Sequence, residues 1–86
     1  MKTLEEIKTF IDEELFTTEE TWYGVEVFND VNVDTDTVKS TKDLEEAYNY
    51  FKELDLEEMG KKYAQLYVIT DEETLEETTI LDNKEA

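Results

Sequence analysis

Ser40-Thr41-Lys42-Asp43-Leu44-Glu45-Glu46-Ala47-Tyr48-Asn49-Tyr50-Phe51-Lys52-Glu53-Leu54-Asp55-Leu56-Glu57-Glu58-Met59-Gly60 is the stretch that decides the fold. Leu44, Ala47, Tyr48, Phe51 and Leu54 recur at helical spacing and form one apolar stripe, which requires a surface to pack on. Ser40 stands at capping-box spacing before Asp43, and Thr41 offers a second N-cap, so a helix is expected from Thr41 to Leu54. Asp55 falls within the stripe and Leu56 outside it, so the turn before Gly60 is expected to be irregular. The other faces carry Asp43, Glu45, Glu46, Glu53, Glu57 and Glu58. The segment that nucleates the core therefore also displays carboxylates.

Upstream, Thr3 and Glu6 repeat the capping-box signature, and Leu4, Ile7, Phe10, Ile11 and Leu15 keep a helical period, which predicts a helix over Thr3 to Phe16. Thr17 to Thr21 is polar and reads as a connection. Trp22 to Phe28 is rich in β-prone residues, with Tyr23, Val25 and Val27 alternating against Trp22, Gly24, Glu26 and Phe28; Gly24 is a candidate bulge. Asn29-Asp30 signals a turn, and Val31, Val33, Thr35 and Thr37 then alternate with polar residues, predicting a β-hairpin. Downstream, Tyr63 to Ile69 is apolar on both alternating faces and suits an interior strand. Asp71 to Thr74 breaks that pattern, Thr78 to Leu81 can return as a fourth strand, and the tail from Asp82 is expected to fray. The fold class that follows is α+β: one domain over residues 1–86, order α-β-β-α-β-β, with two helices packed on an antiparallel or mixed sheet.

Composition narrows the chemistry. There is neither cysteine nor histidine, which removes disulfides, thiolate chemistry and the usual zinc constellations. The single serine, Ser40, has no histidine to activate it, and a chain of 86 residues has little interior for a catalytic pocket, so the expectation is a non-enzyme without cofactor. Lys39, Lys42, Lys52 and Lys84 sit among acids and read as surface charges. The segment Asp30 to Asp36 opens with the alternating oxygens of a calcium loop. However, Thr35 stands where an EF-hand loop needs Gly and Thr41 where it needs Glu, and the interleaved β-branched residues favour a strand, so no metal site is expected.

Twenty-five acids against eight lysines leave a formal charge of −17, a large single-sign field of the kind used to steer a partner. Direct binding of nucleic acid or an anionic membrane is excluded on this ground, because phosphate contacts need clusters of basic residues and only Lys61 and Lys62 adjoin. The first residues contain no apolar leader and no run is long enough to span a membrane, which reads as a cytoplasmic protein. On a strand, Asn32, Asp34 and Asp36 would share a face at intervals of about 6.8 Å. On a helix, Glu46, Tyr50, Glu53 and Glu57 would follow one another at rises of about 4.5 to 6 Å. Both approximate the spacing of phosphates along an extended strand. The candidate partner-binding residues are Asp34, Asp36, Glu45, Glu46, Glu53, Glu57 and Glu58, the flanking acids Asp71, Glu72, Glu73, Glu76 and Glu77, and Tyr50 as an exposed interface anchor. Tyr48, Tyr63 and Tyr67 are expected in the core.

In size, charge and α+β pattern the chain resembles the small acidic inhibitors of phages and mobile elements, the anti-CRISPR and anti-restriction proteins that mimic DNA. The resemblance rests on composition and covers no motif. It implies a cytoplasmic inhibitor that blocks the nucleic-acid-binding site of a basic host defence nuclease. The competing expectation is an interaction domain with an apolar contact surface, whose acidity serves solubility.

Overall fold

The computed structural model describes residues 1–30, 35–72 and 75–86, and the side chains of all of these except 71, 72, 75 and 76. Helix α1 spans Leu4–Glu14 and is capped as its sequence requires: the Thr3 hydroxyl accepts from the Glu6 backbone N–H, and the Glu6 carboxylate accepts in return from the Thr3 backbone. A turn follows in which Thr18 N–H donates to the buried Thr21 hydroxyl, leading into β1, Trp22–Phe28. Then come β2, Asp36–Thr41, α2, Leu44–Glu53, and a four-residue helix α3, Leu56–Met59. The chain ends in a long hairpin of β3, Tyr63–Glu72, and β4, Leu75–Glu85.

The four strands form one sheet in the order β2-β1-β3-β4, with every neighbouring pair antiparallel. This matches the α+β reading and resolves its sheet as antiparallel. β3 is interior, as expected from its sequence, pairing with β1 on one edge and β4 on the other. Pairing of Val25 with Leu66 and Val27 with Ala64 sends these side chains, together with Val68, to one face. There they pack with Ile7 and Ile11 of α1, Ala47, Tyr48 and Phe51 of α2, and Leu56 of α3. Phe51 is fully buried, and removing a side chain of that size from water stabilises by about 1.5–3 kcal/mol. The Tyr48 hydroxyl donates to the Lys2 carbonyl at 3.0 Å and ties the start of α1 to α2. Among the described residues no helix is long and apolar enough to cross a membrane.

Several boundaries differ from expectation. Ser40 and Thr41 belong to β2 and cap nothing; the N-cap of α2 is Asp43, whose carboxylate accepts from Glu45 N–H at 3.0 Å. Strand pairing outbids the capping signature because Ser40 and Thr41 are held in register opposite Gly24 and Tyr23. β2 is described from Asp36, and Val31 to Asp34, where the alternation begins, lie outside the described residues. Asp82 to Glu85 do not fray: they pair with Leu66 to Tyr63 and extend β4. The irregular turn before Gly60 is a helix break. Asp55 starts α3 by accepting from Glu58 N–H, and Gly60, at φ +70°, ends it in the left-handed conformation that glycine adopts without strain.

Both edge strands carry a one-residue bulge. Val38 is the extra residue opposite Val25, and Leu81 the extra residue opposite Leu66. Both are aimed at the core: Leu81 is buried and Val38 packs against the cluster.

Candidate protein-binding surface

The acids of α2 and α3 are held on backbone fixed by the core beneath them. Glu45, Glu46 and Glu53 lie off the buried stripe and are exposed. The Glu46 carboxylate accepts from Lys39 Nζ at 2.7 Å and from the Thr41 hydroxyl at 2.9 Å, both on β2. Those bonds, the lysine's first, hold it below the usual carboxylate range. Asp36 faces Lys61 Nζ at 3.3 Å. Glu45, Glu53, Glu57 and Glu58 are exposed and pair with no lysine among the described residues.

Two features of that set are corrected by the geometry. Glu57 does not continue the row Glu46, Tyr50, Glu53, because α2 stops at Glu53 and the chain turns at Leu54 and Asp55 before α3. Glu46 and Glu53 stand about 10.5 Å apart along the axis, with Asn49 between them, which is wider than one phosphate step. Tyr50 is not a free anchor. It is half-buried against the core, with Lys39 Nζ 5.9 Å from its ring centre. Of the acids from the second hairpin, Glu77 is exposed on β4, Asp34 and Glu73 lie outside the described residues, and the side chains of Asp71, Glu72 and Glu76 are not among those described.

The break between α2 and α3 creates a feature that periodicity could not disclose. Glu53, Asp55, Glu57 and Glu85 surround an open recess of about 320 Å³ beside the C-terminal end of β4. Lys84 stands in its wall, but its ammonium donates to the carbonyls of Lys52 at 3.3 Å and Leu54 at 2.7 Å, closing the end of α2. Burial there pushes the Lys84 ammonium below the usual lysine range, with Asp55 acting in the opposite sense. Asp55 and Glu85 escaped sequence reading, the first as an interruption of a stripe and the second as part of a tail.

The opposite face of the sheet has no helix over it among the described residues. Alternation sends Trp22, Gly24, Glu26 and Phe28 of β1 there, with Tyr63, Gln65, Tyr67 and Ile69 of β3 and Ile80, Asn83 and Glu85 of β4. Trp22 and Ile80 are 40% and 41% exposed, and Lys42 Nζ stands 5.2 Å from the Trp22 ring centre. Tyr67, though on this face, is buried because its ring lies over Gly24. Tyr63 is half-buried and stacks on Phe28, its cross-strand partner, at 5.4 Å between ring centres. Of the three tyrosines expected in the core, Tyr48 lies there, whereas Tyr67, though buried, and the half-buried Tyr63 belong to the uncovered face.

Among the described residues no group of three or more acids is placed to hold a metal ion. Compared with protein-family models, curated proteins and solved structures, the chain finds no match in any of the three.

Proposed function

We propose that the protein is an acidic, non-enzymatic inhibitor that occupies the nucleic-acid-binding groove of a basic protein, its carboxylates standing in for phosphates. A host defence nuclease of the CRISPR or restriction type, met in the cytoplasm, is the partner class that fits. The observation that carries this reading is the uncompensated carboxylate surface of α2 and α3, where Glu45, Glu53, Glu57 and Glu58 project from ordered helix in a molecule of charge −17. Charges already held in place cost less ordering on binding, and their summed field accelerates encounter with a positive groove.

The test is competition. Protein immobilised at low salt should retain a basic nucleic-acid-binding protein from host lysate and release it as salt rises, and the released protein should lose its DNA or RNA in the presence of the free inhibitor. Glu53→Lys with Glu57→Lys should weaken this competition by about tenfold or more and flatten its salt dependence, with the circular dichroism spectrum unchanged. Undiminished competition by the double variant would remove α2 and α3 from the interface.

The uncovered sheet face favours a second reading, in which Trp22 and Ile80 make an apolar contact and the charge serves solubility. Partner binding would then survive high salt and fail in Ile80→Asp.

A further inference from the structure

The sheet face without helices ends, at the Phe28 side, in a second recess of about 210 Å³. Tyr63, half-buried, forms an aromatic wall backed by the buried ring of Phe28, on which it stacks with 24° between their planes. Gln65 and Asn83, cross-strand partners, bring two carboxamides to it, and Glu85, opposite Tyr63, brings a carboxylate. Glu26 is the cross-strand neighbour of Gln65 on the same face. None of the side chains of Glu26, Gln65, Asn83 and Glu85 is engaged in a hydrogen bond or ion pair with a described residue. Lys84 also borders the recess, but its ammonium is committed to the carbonyls at the end of α2 on the other face, so no cation of this chain fills the site.

A flat aromatic surface, acceptor oxygens from two amides and an unpaired carboxylate together match one side chain better than others. Guanidinium is planar, weakly hydrated, stacks on aromatic rings and carries five donors in a fixed fork, whereas ammonium is a strongly hydrated point charge. We infer that this recess takes an arginine side chain of the basic protein partner. The inference rests on the reading that the partner is basic, and it names a second contact for it. Glu85 belongs to both recesses, so the carboxylates Glu53, Asp55 and Glu57 continue around the β4 edge into the aromatic site. A partner lying along α2 and α3 can therefore send one arginine past Glu85 onto the Tyr63 ring, which Phe28 supports from behind.

The experiment uses the intact protein labelled with nitrogen-15 and titrated with N-acetyl-arginine amide, then with N-acetyl-lysine amide, at matched ionic strength. The arginine derivative should produce saturable amide shifts at Phe28, Tyr63, Gln65, Asn83 and Glu85, and bind about two- to fivefold more tightly than the lysine derivative. Glu85→Gln and Asn83→Ala change exposed side chains on an edge strand, and each should weaken the arginine response at this site without shifting the resonances of α1 and α2. Equal responses to the two derivatives, spread over the carboxylates of α2 and α3, would overturn the inference. So would arginine shifts that persist undiminished in both variants. The outcome is independent of the competition assay: loss of arginine selectivity leaves phosphate mimicry by α2 and α3 standing, whereas failure of competition with an intact arginine response removes the mimicry alone.

Discussion

Gly24 is glycine because of what lies above it. Its backbone has ordinary strand geometry, yet a Cβ there would run into Cζ and the hydroxyl oxygen of Tyr67, directly opposite on β3. The ring uses the vacancy to lie flat on the sheet, where its hydroxyl is 3.4 Å from that of Thr37, and so becomes buried on a face without helices. Gly24→Ala should destabilise by about 1–3 kcal/mol through overpacking, measured by urea unfolding. The penalty should shrink sharply in a Tyr67→Ala background, because the two residues share one space. An equal penalty in both backgrounds would locate the cost in the strand backbone instead.

At the level of elements, the Lys39–Glu46 pair joins the edge strand β2 to the first turn of α2, with Thr41 as a second donor. The sign of its pH dependence follows from the lowered pKa of Glu46. A carboxylate held below its unfolded value contributes to stability above that value, and the contribution disappears as pH falls through the folded pKa. Titration of the Glu46 carboxyl carbon by NMR should give a midpoint below that of an ordinary glutamate in the parent, and a return toward the ordinary value in Lys39→Met. Thr41→Val should give the smaller return. Identical midpoints in parent and Lys39→Met would mean that the pair does not form in solution. The sheet edges are managed by related means: β2 and β4 each carry a bulge, and the long β4 edge bears Glu77, Asp82, Lys84 and Glu85, charges that oppose further strand addition.

For the whole molecule the dominant electrostatic fact is size against screening length. The protein measures 37 × 26 × 18 Å, so at about 0.01 M salt, where the Debye length is about 30 Å, its acids repel one another across the full body. At about 0.15 M the length falls to about 8 Å and only near neighbours interact. The melting temperature should therefore rise by several degrees between these concentrations, each kcal/mol corresponding to about 4–8 °C for a chain of this size. Calorimetry at fixed pH measures this, and a melting temperature indifferent to salt would show that the net charge does not oppose folding. The same screening weakens any phosphate-mimicking contact, so the protein should become more stable and bind less tightly as salt increases.

Local physics was sufficient for much of the fold. The span Trp22–Phe28, the capping box of Thr3 and Glu6, the stripe around Phe51 and the interior place of β3 could be read from period and propensity, because each depends on neighbours a few residues away or on the apolar character of one strand. The charge, and with it the expectation of a basic partner, also belongs to the sequence alone. What required tertiary structure depends on register between distant segments. Pairing with β1 drew Ser40 and Thr41 out of the helix, pairing with β3 ordered Asp82 to Glu85, and the bulges turned Val38 and Leu81 inward. The two recesses that meet at Glu85 have no signature in the chain, since their walls come from α2, α3 and three strands, and only the antiparallel register brings those residues to one edge.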